Sequence, residues 1–235
     1  MRNLQIEDRE IPYEVNKSKK ASRARIDIDP SGVKVVVPEG SSIQPEEFIE
    51  RRRDWVLKHY EEVQEILARM PDRDFKEGEK FPYLGEDHEL VFKDIESSEI
   101  KEGEIRLPHE KVNNNSPEEI LENFLREKAR ANIHSVIDQY IDEIEGDFDK
   151  VYIRNQKTKW GSCSGKSNLS FNFRLIMAPP EVLEYVVVHE LVHLEEPEHS
   201  KAFWRKVSDI LPDYEKRRKW LKENKMKLVM KREDL

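Results

Sequence analysis

An α+β fold is predicted by three features of this 235-residue chain. The N-terminal part is dominated by short strand-like runs separated by turn residues. Two long segments carry apolar residues at helical spacing. A strongly alternating run then leads into an apolar helix that opens at Pro179 and Pro180.

In chain order, residues 11–15, 25–28 and 33–37 read as strands, and Asp29-Pro30-Ser31-Gly32 has the residues of a hairpin turn. Pro45 opens a helix whose apolar residues Phe48, Ile49, Val56, Tyr60, Val63, Leu67 and Met70 share one side, and Pro71 ends it. Residues 81–92 and 105–108 suggest further strands, with turns at Glu77-Gly78 and Leu84-Gly85-Glu86, whereas 93–104 have little pattern. Asn113-Asn114-Asn115 is the best linker candidate. Two regions are therefore expected: 1–112, β-rich with one long helix at about 45–70, packed on the catalytic part, and 113–235, carrying the site and a basic tail. Ser116-Pro117-Glu118-Glu119 reads as a capping box opening a helix to about Glu145. Its apolar side, with Ile120, Phe124, Ile133, Ile137, Tyr140, Ile141 and Ile144, could cover a sheet, and His134 near that side reads as a packed residue. In the run 169–177, Leu169, Phe171, Phe173, Leu175 and Met177 would face one way, and Ser170, Asn172 and Arg174 the other. Such a strand could take up a peptide if it lay at a sheet edge, or be an inner strand with a polar solvent face.

Composition excludes several classes. Charged residues make up 38% of the chain, and its apolar runs fall far short of the about 18 residues of a membrane helix, so no transmembrane span is expected. Residues 1–8 lack the apolar core of a signal peptide, and one cysteine excludes an internal disulfide. A cytoplasmic protein in a reducing compartment is expected. The net charge of −8 argues against a dedicated nucleic-acid binder. Basic clusters at 17–25, 51–53 and 216–232 nevertheless stand out, the last enclosing Trp220. It reads either as a solvated helix face with a charged tail or as a DNA phosphate contact.

The chemistry concentrates in His189-Glu190-Leu191-Val192-His193 and in His199. On a helix His189 and His193 lie roughly 40° apart, one turn above the other, so both imidazoles can reach one ion. Glu190 projects beside them and can hold a water on the metal. A zinc ion lowers the pKa of bound water to about 7, and a carboxylate can take the proton as that water attacks a carbonyl. On an unbroken helix His199 would sit roughly 280° around, facing away, so the helix must stop. Pro197 supplies the stop and biases Glu196 away from helical angles. A second amphipathic run through Phe203, Trp204, Val207, Ile210 and Leu211 could then anchor the returning His199. Metzincins use this ten-residue spacing with Gly at the place of Glu196, so that group is not supported.

Around this motif, Gly161 could permit a bulge or close approach to the metal helix, and Trp160 could wall the cleft. Trp160, Asn172 and Arg174 are the substrate-binding candidates. Cys163 reads as packing, because a fourth protein ligand would close a catalytic site. Arg154, Lys159, Arg174, Tyr185 and Tyr214 are candidates to stabilise an oxyanion.

Residues 151–180, VYIRNQKTKWGSCSGKSNLSFNFRLIMAPP, together with HELVHLEEPEHSKAFW, resemble the YgjP-like metallopeptidase family, relatives of the SprT and Wss zinc proteases. The resemblance is carried by Lys157 to Cys163, by Asn172-Phe173-Arg174-Leu175-Ile176 and by the three histidines. It extends more loosely from about residue 20 to 225. It implies a zincin-like catalytic domain with an antiparallel-leaning sheet. It also implies one zinc ion held by His189, His193 and His199 with water in the fourth position, and Glu190 as general base. The expected activity is hydrolysis of peptide bonds in a peptide or unfolded protein. Hydrolysis of a non-peptide amide or ester, or a binding module with a structural metal, are the rival readings.

Overall fold

The computed structural model describes residues 2–6, 9–29, 32–68 and 73–231. Two compact units divide at 70/71: Met1–Met70 and Pro71–Asp234. This differs from the boundary expected at 112/113. The physical reason is that Phe81, Leu90, Ile105 and Leu107, which precede 112, are buried in one cluster with Leu125, Phe171 and Val187. Asn113 and Asn114 close a short helix instead of forming a linker. No helix among the described residues is long and apolar enough to cross a membrane.

The first unit has four strands, β1 (Arg2–Ile6), β2 (Arg9–Ser18), β3 (Arg25–Asp29) and β4 (Gly32–Pro38), in the order β1-β2-β4-β3. The outer pairings are antiparallel and the central β2–β4 pairing is parallel. Strand β1 was not anticipated; its exposed residues leave Ile6 as the fully buried one. Asp29 pairs with Gly32 across the expected hairpin, whose Pro30 and Ser31 lie outside the described residues. The helix expected from Pro45 is two helices, α1 (Pro45–Glu50) and α2 (Arg53–Ala68). Between them Arg52 N–H bonds to Ile49 O, three residues back, tightening the turn. Ile49 and Val56 are buried against Ile11, Tyr13, Val33, Val35 and Val37.

The second unit begins with the same plan. Strands β5 (Lys80–Tyr83), β6 (Glu86–Lys93), β7 (Glu99–Lys101) and β8 (Glu104–Pro108) run in the order β5-β6-β8-β7, again with antiparallel outer pairings around a parallel one. Strand β7 falls in the stretch without pattern because it is three residues long and mostly exposed, with no apolar period to read. Helix α3 (His109–Asn114) follows β8 directly, and α4 (Pro117–Tyr140) buries Leu121, Phe124, Leu125, Ala129, Ile133 and Ile137. Ser116 stands at its N-cap, but its side chain makes no capping hydrogen bond, so the expected capping box is not formed.

The third sheet has β9 (Val151–Arg154), β10 (Gly161–Cys163) and β11 (Leu169–Asn172) in the order β10-β11-β9, with β10 antiparallel and β9 parallel to β11. The alternating run is thus a strand only as far as Asn172. The Asn172 side chain accepts from Arg174 N–H and turns the chain into a 3-10 helix, Phe173–Met177, buried throughout. Strand β11 is central, and β10 and β9 are the two edges, β10 the one beside α5. Helices α5 (Pro180–Val192), α6 (Lys201–Ile210) and α7 (Tyr214–Asn224) complete the unit.

A buried polar network clamps α4, α5 and α7. Tyr140 Oη donates to Glu184 Oε1 at 2.6 Å. Arg217 Nη1 pairs with the same carboxylate and donates to Glu181 O at 3.1 Å. Burial and the Glu184 charge push the Tyr140 phenol up to about 12. The Glu184 and Arg217 side chains are 21% and 14% exposed, so removing one leaves its partner charge short of solvent. Glu184→Ala is expected to lower the unfolding free energy by about 3 kcal/mol, read as a lower urea midpoint, and Glu184→Gln by less.

Candidate metal centre

Helix α5 is apolar on nearly every side: Val182, Leu183, Val186, Val187, Val188, Leu191 and Val192 are all buried. Such a helix is stable only inside a core. Apart from Glu181 and Glu184 near its start, its charged and imidazole residues are gathered in the last turn, where His189 and Glu190 precede His193 at the C-cap. Leu194, Glu195 and Glu196 then make backbone bonds back to Leu191 and Val192, and the chain turns through Pro197. Ser200 caps α6 by accepting from Phe203 N–H at 3.2 Å. His199 stands just ahead of that cap, so the third imidazole is mounted on the entry to α6.

The break brings the three imidazoles together. Their ring centroids are 5.0 Å (His189–His193), 5.0 Å (His189–His199) and 4.7 Å (His193–His199) apart. One nitrogen from each lies within 4.8 Å of the others. The Nε2 atoms of His189 and His199 are 3.0 Å apart. Each ring is held differently. His193 Nδ1 is 3.0 Å from Glu196 O, which orients that nitrogen as the donor and leaves Nε2 with a free lone pair. His189 Nδ1 is buried with no hydrogen-bond partner among the described residues. His199 is stacked on Trp204 at 5.6 Å and 25°, and Trp204 in turn on Tyr214 at 5.4 Å and 20°. Fully buried Phe203 touches all three imidazoles at 4.5 to 4.9 Å.

Electrostatics favour neutral imidazoles. Burial, with the neighbouring His193 and His199, pushes His189 down to about 3. Burial also lowers His199, helped by His193 and Arg218. Glu190 is 5% exposed, and burial pushes its carboxyl up to about 8; a backbone N–H from Cys163 and the Lys159 charge oppose this by favouring the anion. The carboxylate fits because residue 161 has no side chain: a Cβ there would lie 2.6 Å from both Cγ and Oε1 of Glu190.

A cleft of about 560 Å³ opens over these groups. The edge strand β10 and the loop through Ser164, Gly165 and Ser167 form one wall, His189, Glu190, His193 and His199 the floor, and Leu194 and Pro197 the far side. Cys163 lines the cleft with its Sγ 3.7 Å from Ser164 O, outside the three-nitrogen cluster.

The structure places Trp160, Asn172 and Arg174 behind this wall, not in the cleft lining. Asn172 and Arg174 are 1% and 3% exposed, and both donate to Gln156 O, at 2.7 and 2.9 Å. The Arg174 guanidinium also lies 5.4 Å from the Trp160 ring centre. Burial compels this arrangement, because a guanidinium removed from water must find acceptors. Arg154 is exposed over Tyr152, and His134 is half-buried on α4 outside the cluster. Tyr185 is buried at 5.8 Å from His189, its phenol pushed up to about 12 by burial. Three contributors escaped the sequence reading, the Glu196 carbonyl, the stacking of Trp204 and the position of Arg218, whereas the close approach of Gly161 to the metal helix is among the alternatives the sequence offers. Only the Phe203-Trp204 pair, directly after His199 and Ser200, left a local signal.

The three-histidine cluster at the cleft is suited to a metal ion, and the comparisons with known proteins place the chain among metal-dependent peptidases. More particularly, the chain belongs to the YgjP-like family: the model for its metallopeptidase domain matches residues 22–224. Among solved structures, the chain is similar to the metallopeptidase zymogen of Pyrococcus abyssi abylysin, with 24% identity, a TM-score of 0.34, and 40% of this chain and 93% of that one covered. No curated protein matches.

Two outcomes follow from this geometry. Gly161→Ala should displace Glu190 and cut kcat about 100-fold while leaving zinc content unchanged, as checked by metal analysis beside a peptidase assay. Trp204→Leu should weaken zinc affinity about 10- to 100-fold in chelator competition, with Trp204→Phe restoring most of it.

Proposed function

We propose that the protein is a zinc-dependent peptidase of the zincin type, with catalysis carried by the unit Pro71–Asp234. His189, His193 and His199 would hold the zinc and Glu190 would act as general base. The observation that carries this reading is the convergence of three imidazole nitrogens within 4.8 Å beside a buried carboxylate. The donor set fits the ion: His189 and His199 favour the neutral form, and imidazole suits zinc. Zinc bound there lowers the pKa of a coordinated water to about 7 and polarises a carbonyl.

The chain's own residues supply the rest. Glu190 takes a proton from the attacking water and passes it to the leaving nitrogen, completing general acid–base catalysis with one group. Cys163 N–H and Lys159 favour the anionic form in which Glu190 can accept. Strand β10 pairs on one side with β11 and has no strand partner on its other side among the described residues, next to the histidines. An extended peptide added there would be held mainly by main-chain hydrogen bonds, which suits an unfolded protein substrate. Asn172, Arg174 and Trp160 would act by supporting β10 and β11 from behind. The single free thiol at the cleft fits a reducing, cytoplasmic compartment.

The proposal does not extend to DNA. In the basic C-terminal segment Arg217 pairs with Glu184 and Asp213, Lys219 with Glu223, and Lys231 with Glu118 and Glu122, so three of its cations are already matched by carboxylates.

Casein cleavage should disappear on chelation and return with added zinc. Glu190→Gln should lower kcat by at least about 1000-fold while retaining zinc. Persistent cleavage by the zinc-loaded Glu190→Gln protein would remove the carboxylate from its role.

A further inference from the structure

We infer that Arg218 is a specificity-determining residue that anchors a carboxylate of the peptide substrate beside the histidine cluster, on its Trp204 side and outside the cleft lining itself. The inference rests on the peptidase reading and adds a substrate class to it.

Arg218 projects from α7, with its guanidinium carbon 4.9 Å from the centre of the Trp204 ring. Trp204 is itself stacked on His199 and lies 5.7 Å from His189. The cation is therefore one aromatic ring away from two of the three imidazoles. It is exposed, and no carboxylate among the described residues pairs with it. Its neighbour Arg217 is committed to Glu184 and Asp213, which fixes this turn of α7 and holds Arg218 in place. One arginine thus serves the fold, and the next is left free for a ligand.

The remaining charges agree. The wall from Gly161 to Gly165 offers no charged side chain, and the second cation acting on the site, Lys159, acts on Glu190. A peptide advances about 3.3–3.6 Å per extended residue, so an acidic residue one or two positions from the scissile bond spans the width of the Trp204 ring. A guanidinium preorganised on an aromatic face can bind a carboxylate through paired N–H donors. The carboxylate could come from an Asp or Glu side chain or from a peptide C-terminus.

The test uses quenched fluorescent peptides with a common core, carrying Glu, Gln or Lys beside the cleaved bond and ending in a free acid or an amide. Wild type should cleave the Glu peptides with about tenfold higher kcat/KM than the Lys peptides, mostly through KM. The preference should shrink with added salt. Arg218→Gln should abolish it, Arg218→Lys retain part of it, and Arg218→Glu invert it. Selectivity in the free-acid series alone would identify the C-terminus as the source. Binding of the same peptides to zinc-loaded Glu190→Gln protein, with and without Arg218→Gln, gives a readout independent of turnover. Cleavage without an Arg218-dependent acidic preference overturns the inference, as does an Arg218→Gln loss confined to kcat and equal for all peptides. Arg218-dependent binding of acidic peptides without cleavage by wild type would instead sink the peptidase reading and leave the anchor standing.

Discussion

Helix α5 has almost no solvent-facing stripe, so it exists only with packing on its flanks, and the rest of the second unit is arranged to supply that packing. Helix α4 and the 3-10 helix Phe173–Met177 join it in one core, strands β10 and β11 lie against it, α7 packs along its first half and α6 against its last turn. The same burial decides the chemistry. Polar groups in such a helix are tolerated where partners can reach them, and the last turn is where the chain can bend away and open a cleft. His189, Glu190 and His193 stand there. Burial also weakens their hold on charge in opposite directions, depressing the imidazole and raising the carboxyl.

Three histidines of one cluster are supported by three kinds of contact: a carbonyl for His193, a buried apolar setting for His189, and a stacked indole for His199. The difference follows from their mounts. His193 ends a helix, where unpaired carbonyls are close at hand, whereas His199 is exposed on a turn and gains its orientation from the rings of α6 and α7.

What could be read in advance was what depends on neighbours in sequence. The one-turn spacing of His189 and His193, the stop at Pro197 and the amphipathic run after His199 all act over fewer than about four turns, and the structure brings the three histidines together. The apolar period of α4 was equally plain. What escaped depends on distant partners. The run 169–177 alternates like a strand, yet its second half is a 3-10 helix because Asn172 and Arg174 are drawn to Gln156. Asn113 to Asn115 resemble a linker in composition but cap a helix joined to β8. Gly161 reads as a bulge or a close approach to the metal helix, and the packed structure selects the close approach and adds that Glu190 is the side chain concerned.

The strand orders of the two four-stranded sheets have a bearing on time. In each, every pairing joins strands close together in the chain, so each sheet can close as soon as its own residues are available. The cleft is different: its groups, Gly161 to His199, all follow both sheets, and its floor needs α5 and the entry to α6 to meet. During synthesis the sheets can therefore be complete while the cutting groups are still unmade or apart. If the proposed cleavage of unfolded peptide holds, the order of the chain's own segments leaves it unable to cut itself until the protein around the cleft has already folded.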